Sequence, residues 1–167
     1  MTPMSRLRLG LSIGFVVLVL DHITKAWALN RLFFPPDRIE VLSILNFVPV
    51  WNRGVSFGLL ASDSPYTPWL LGGFALAVSV AMVFWMTRAT THWLVIGLGL
   101  IVGGAVGNAI DRALHGAVVD FIDVHWADLH WPAFNIADAA ISIGVGFILL
   151  DAFVTRPGRD GGSRDGS

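Results

Sequence analysis

Cysteine is missing from this chain altogether. Its absence excludes disulfides, thiolate nucleophiles and cysteine-based metal sites. It leaves the compartment open, because a cysteine-free chain survives in either redox environment. Charge is the second scarcity: only 14% of residues are Asp, Glu, Lys or Arg, 54% are hydrophobic, and the mean hydropathy is +0.68. A soluble domain carries about 25% charged residues, so this chain has too few to coat a water-facing surface. The surplus apolar surface calls for a non-aqueous solvent, and the bilayer is the obvious one. A net charge of -1 offers no basic face to nucleic acid. No internal repeat is visible, and 167 residues suffice for one compact unit and not for two.

What the chain does have is four long apolar stretches, about 9–29, 69–86, 93–110 and 136–154. Each is close to the ~20 residues that cross ~30 Å of hydrocarbon. An open chain in lipid satisfies its own backbone only as helix, so all four are expected to be transmembrane helices. The expectation is an all-α membrane protein forming one domain over residues 1–155, followed by a disordered cytoplasmic tail at 156–167. Residues 37–60 mix β-branched, aromatic and turn residues, so a small β-containing segment is expected between the first two helices, outside the cytoplasm. Four helices put both termini on one side and the connections 30–68 and 111–135 together on the other. Arg6, Arg8, Arg88, Arg156, Arg159 and Arg164 flank the terminal side, which places both termini in the cytoplasm. Trp27, Trp51, Trp69, Trp93, Trp126 and Trp131 fall near helix ends or in the outer connections, as interfacial anchors do. A removed signal peptide is the competing reading of the N-terminus, since Ala26-Trp27-Ala28 has the form of a cleavage site. Against it stand the bulky Trp, the charges at Asp21 and Lys25, and the odd number of spans that removal would leave.

Ionisable groups inside spans are costly and mark function. Asp21 and Lys25, four apart, share a helical face and read first as a structural ion pair. Gly103 and Gly107 form a GxxxG step that lets another helix approach, and Asn108, Asp111 and Arg112 follow on the same helix. Asp120 lies in an apolar run just past the third span. Asn135 and Asp138 open the fourth; capping of the helix N-terminus is a serious alternative for Asn135 and a weaker one for Asp138. All these clusters map to the outer face, while the inner halves of the spans are nearly free of charge.

Two carboxylates close together in a low-dielectric pocket cannot both ionise, so they share a proton. One can then take a proton from water while the other donates to a carbonyl oxygen, adding water to an amide. Asp120 and Asp138 are the best placed for this. Gly54-Val55-Ser56-Phe57-Gly58 matches the nucleophile-elbow pattern, but there is no room for the α/β sheet that pattern needs. A serine peptidase using Ser56 with His125 is kept as a minor alternative. His125, Asp128 and His130 match no standard zinc spacing and read as interfacial polar residues.

Five segments together resemble the lipoprotein signal peptidases, also called signal peptidase II, of bacterial inner membranes. They are Asp21 to Lys25, Asn52 to Gly58, Gly103 to Arg112, Val118 to Phe121 and Phe134 to Asp138, and they run in order around four spans. The resemblance implies an aspartyl endopeptidase of the cytoplasmic membrane. Such an enzyme cuts signal peptides from prolipoproteins just before a diacylglyceryl-modified cysteine, and globomycin-type peptides inhibit it. It places the catalytic pair on Asp120 and Asp138, with Asp21, Lys25, Asn52, Gly54, Asn108, Arg112 and Asn135 at the family's other polar positions around the pocket. Ser56 stands where members often carry Ala. No metal or organic cofactor is implied, and a monomer working among membrane lipids is expected. The rival reading from the residues alone is a small transporter or proton relay, which would need polar groups along the whole crossing path. A non-catalytic packing subunit would leave Asp120 and Asp138 unexplained.

Overall fold

In the computed structural model, residues 2–54 and 64–155 are described. Four long helices, α1 (Pro3–Leu32), α2 (Thr67–Met86), α3 (His92–His115) and α4 (Ile136–Val154), carry the apolar stretches. Each is long and apolar enough to cross a membrane, so the chain is a multi-pass membrane protein. Four strands, β1 (Ile39–Leu42), β2 (Leu45–Asn52), β3 (Val118–Trp126) and β4 (Leu129–His130), pair antiparallel in the order β1-β2-β3-β4. The architecture is thus the expected one, mostly helical with a small sheet. The sheet is larger than expected, however: half of it comes from the connection between α3 and α4. Val118-Val119-Asp120-Phe121 is strand, paired through Val50↔Asp120 and Trp51↔Val119. Its near-continuous apolar run is that of a strand buried on both faces, a pattern that shows no alternation. The tail at 156–167 and the part of the 37–60 segment beyond Gly54 lie outside the described residues.

The helices do not share burial equally. Within its most apolar window α3 is 72% buried, against 22% for α1, 17% for α2 and 22% for α4. So α3 is the axis, and the other three lay one face on it and turn the rest to lipid. Exposed Phe15, Leu70, Phe74, Val80 and Phe153 belong to that outer surface, where in a bilayer no hydration is lost. Glycine allows the close approach: a Cβ on Gly103 would lie 2.5 Å from the Gly14 carbonyl oxygen of α1, and one on Gly104 only 2.4 Å from the Ala137 oxygen of α4. Without a hydrophobic drive between helices in lipid, such backbone contact is what holds them. Gly107 serves differently from the expected helix–helix step. Its missing side chain makes room for the Asp21 carboxylate, whose Oδ2 would be 2.6 Å from the added carbon.

At the end of α3, Gly116 adopts φ 70° and its N–H reaches the Arg112 carbonyl. A left-handed cap there is cheap for glycine alone, and it turns the chain straight into β3. The sheet rests on the end of α1 through Ala28, Leu32, Phe33, Val119 and Phe121. Trp27 stands edge-on to Phe47 and Phe121 in the same layer, so it is packed beneath the sheet as well as near a helix end. At the opposite end of the bundle lies a buried carboxylate the sequence reading passed over. Asp151 of α4 accepts a hydrogen bond from Thr91, the residue that caps α3.

Candidate active site

Where the sheet meets the helix ends, the nine residues singled out in the sequence come together in one hydrogen-bonded network. The N-terminus of α4 organises it. Asn135 is the N-cap and accepts from the Asp138 N–H at 2.9 Å, while Asp138 Oδ2 accepts from the Asn135 N–H at 3.3 Å. This is a capping box. Asp138 therefore does take part in capping, contrary to the weaker weight that reading received: it sits at N3, where a carboxylate can reach back. One oxygen suffices for the cap, and Oδ1 is left to accept from Asn108 Nδ2 at 2.8 Å.

Asn135 also faces the other way. Its Nδ2 donates to Asp120 Oδ1 at 2.7 Å, and Asn52 Nδ2 donates to Asp120 Oδ2 at 2.9 Å. One residue thus ties the two carboxylates together, its side-chain amide donating to Asp120 and its backbone N–H to Asp138 Oδ2. The rest closes a ring. Asn52 Oδ1 accepts from the Gly54 N–H, the Gly54 carbonyl accepts from Arg112 Nη2 at 2.9 Å, and Arg112 Nη1 returns to the Asn108 carbonyl. Behind the ring, Lys25 Nζ meets Asp21 at 2.7 Å, Asp111 at 2.9 Å and Asn108 Oδ1 at 3.0 Å. All four oxygens of Asp120 and Asp138 accept hydrogen bonds, so both carboxyls are held in fixed orientations.

Two cavities reach this pair, the second through Asp138 alone. One, of about 650 Å³, lies under the sheet and is walled by Trp131, Pro132, Phe134 and Ile143 with Asp120 and Asp138 at its floor. The other, of about 350 Å³, runs between α2, α3 and α4 along Leu71, Phe74, Val78 and Ile141. Asn52, Asp138 and Ser142 line both, so Asp138 stands at their junction while Asp120 faces the first. Asp120 is 1% exposed. Burial, and after it the charge of Asp138, push its carboxyl up to about 7. Near neutral pH one proton is therefore available at a site that faces open space, as general acid/base chemistry requires.

Asp111 was quoted in the sequence but given no role. It accepts the Val119 N–H at 3.0 Å and pairs with Lys25. Its spacing from Asn108 and Arg112, on one helical face, was the available signal. Asn46, Asp123 and His130 form a second cluster, on the sheet. Asn46 Nδ2 and His130 Nδ1 both engage Asp123, and their hydrogen bonds outweigh the opposing effect of burial to hold its carboxyl below the usual range. His125 stacks on His130. Ser56 lies outside the described residues.

A model of the family described as Signal peptidase (SPase) II matches residues 13–154. The chain is 43% identical to a lipoprotein signal peptidase of Rhodopseudomonas palustris over 163 residues, covering 94% of this chain and 97% of that one. Identity to a lipoprotein signal peptidase of Vibrio campbellii is 41% over 143 residues, covering 84% and 80%. The fold is similar to a bacterial membrane enzyme solved by the in meso method at 2.3 Å resolution, with TM-score 0.75 and 28% identity over 87% of this chain and 88% of that one. With a family match across all four spans and relatives this similar over nearly their whole length, the chain belongs to the signal peptidase II family.

Proposed function

We propose that this protein is an aspartyl endopeptidase of a bacterial cytoplasmic membrane that removes signal peptides from prolipoproteins, with Asp120 and Asp138 as its acid/base pair. The observation that carries this is one residue, Asn135, holding both carboxylates, Asp120 through its side-chain amide and Asp138 through its backbone N–H, at a cavity that both carboxylates line. The relatives are named lipoprotein signal peptidases, which supplies the substrate class. Both termini are cytoplasmic and the site lies near the outer face, where the cleavage point of a membrane-inserted signal peptide arrives. The apolar walls of both cavities suit a lipid-modified cysteine and the flanking signal sequence.

In the proposed reaction the pair holds one proton between two carboxyls. The ionised member draws a proton from a water molecule, and the protonated member donates to the scissile carbonyl oxygen as the water adds. The C–N bond then breaks as the proton taken from water passes to the leaving amine and a hydroxyl of the tetrahedral intermediate returns its proton to the other carboxylate, so the pair is restored and no acyl-enzyme forms. Asn135, Asn52 and Asn108 fix the four oxygens so that neither carboxyl has to reorient during the step. Arg112 ties the strand end at Gly54 to α3, keeping Asn52 on Asp120.

The test is cleavage of a diacylglyceryl-modified prolipoprotein by the detergent-purified protein, with Asp120→Asn and Asp138→Asn alongside. Cleavage by the parent and none by either folded variant is the expected result. Turnover by either variant would overturn the dyad and turn attention to Ser56. A folded parent that does not cleave would shift the weight to transport.

A further inference from the structure

Three buried charges lie behind the dyad and line neither cavity: Asp21 at 0%, Lys25 at 2% and Asp111 at 3% exposure. If they served only to join α1 to α3, apolar side chains would do so at lower cost, because ions taken out of water are expensive to bury. Their hydrogen bonds show a more specific use. Asp21 Oδ1 accepts the N–H of Ala137 at 2.9 Å, and Ala137 immediately precedes Asp138. Asp111 Oδ2 accepts the N–H of Val119 at 3.0 Å, and Val119 immediately precedes Asp120. Lys25 bridges these two carboxylates and donates to Asn108 Oδ1. That contact, with the longer one from Asn135 Nδ2 at 3.3 Å, fixes which end of the Asn108 amide is oxygen. The NH2 end must then face Asp138.

We propose that Lys25 is a positioning residue for the dyad: it sets the Asn108 amide so that it donates to Asp138, and through Asp21 and Asp111 it holds the backbone just ahead of each catalytic carboxylate. This inference rests on the reading of Asp120 and Asp138 as the reacting pair. Lys25 touches no reacting atom. Its effect is on where the two carboxyls stand relative to one another, a geometry to which rates are steeply sensitive.

Two variants separate positioning from mere stapling. Asn108→Asp keeps the size and the contact with Lys25, and so the staple, but places an acceptor where Asp138 requires a donor. The triple variant Asp21→Asn, Lys25→Met, Asp111→Asn keeps amide oxygens that can still accept from Ala137 and Val119, removes the ammonium, and leaves no unpaired buried charge. Both are assayed with the parent, Asp120→Asn and Asp138→Asn on the diacylglyceryl-modified prolipoprotein, with thermal unfolding as the check of fold. The expected result is kcat lowered about 10- to 100-fold in Asn108→Asp, with KM within about twofold of the parent. The triple variant is expected to show the same split, and Asn108→Asp carries the test by itself should the triple variant not fold. Parental kcat in folded Asn108→Asp, while the two dyad variants are dead, overturns this inference and leaves the peptidase intact. A folded parent without cleavage overturns both.

Discussion

Replacing Asp120 by Asn should make the protein less stable in acid and more stable in base. The carboxyl ordinarily titrates near 3.8 and in the folded chain near about 7, because it is buried and faces Asp138. A folded value above the unfolded one means that the native state binds the proton more tightly. Stability from this group is therefore full below about pH 4 and is lost as pH rises through about 7. The distance between the two values corresponds to about 4 kcal/mol, at roughly 1.4 kcal/mol per pH unit. Asn carries no such penalty, since it never ionises. It has its own cost: Asn52 and Asn135 both point N–H groups at Asp120, and one of them would meet the NH2 of the new side chain. Losing that hydrogen bond costs about 1–2 kcal/mol at every pH. The variant should thus be about 1–2 kcal/mol less stable than the parent at pH 4 and about 2–3 kcal/mol more stable at pH 9, with the curves crossing between. For a chain of this size that is a swing of roughly 10 °C in the melting difference. Thermal unfolding of both proteins in detergent from pH 4 to 9 reads it directly. A melting difference that stays flat with pH, or moves against the variant as pH rises, would refute a raised Asp120 carboxyl.

Further outcomes follow from the same contacts. The kcat/KM of the parent should fall about tenfold per pH unit above about 7, as the shared proton is lost, in a pH–rate profile; a plateau to pH 9 would exclude Asp120 as part of the proton-holding pair. Gly104→Ala places a carbon 2.4 Å from the Ala137 oxygen and pushes the start of α4 off α3, so it should cost about 1–3 kcal/mol and depress turnover by displacing Asp138. Gly73→Ala meets nothing within 4 Å and should instead stabilise the protein by about 0.5–1 kcal/mol of helix propensity, read as a slightly higher melting temperature. Asp151→Asn loosens the Thr91 cap about 20 Å along α4 from Asp138; it should lower stability by about 1 kcal/mol and leave kcat at the parental value.

The spans and the polar positions were legible in the sequence for one reason: in a chain so poor in charge, each ionisable residue inside an apolar run is conspicuous. Asp21, Lys25, Asn108, Arg112, Asn135 and Asp138 could be assigned to one end of the bundle by counting helices alone, and they do meet there. The strand at Val118–Trp126 was not legible, because a strand buried on both faces has no alternation to distinguish it from the end of a helix. Asp111 was noticed but given no role, because one of its partners is the Val119 N–H, and a backbone donor leaves no mark in composition. The share of Asp138 in the cap was given too little weight, since a carboxylate at N3 reaches back to the Asn135 N–H.

The position of the site has a physical cause in the helix ends. In lipid, a helix interior has no free N–H to offer a carboxylate, because every one is committed to the carbonyl four residues back. Only the first turn has uncommitted donors. The start of α4 supplies them to three side chains at once: Ala137 to Asp21, Asp138 to Asn135, and Asn135 to Asp138. The sheet adds Val119 to Asp111 on the other side. The carboxylates of the site therefore collect where α4 begins and β3 passes over it, a level of the bundle at which free backbone donors allow such groups to be buried and still be hydrogen-bonded. A dyad placed half a helix deeper would have to find all its donors among side chains. Moving the Asn135–Asp138 box one turn along α4 should consequently cost stability as well as activity, and a shifted variant that folds as well as the parent would show that side chains alone suffice.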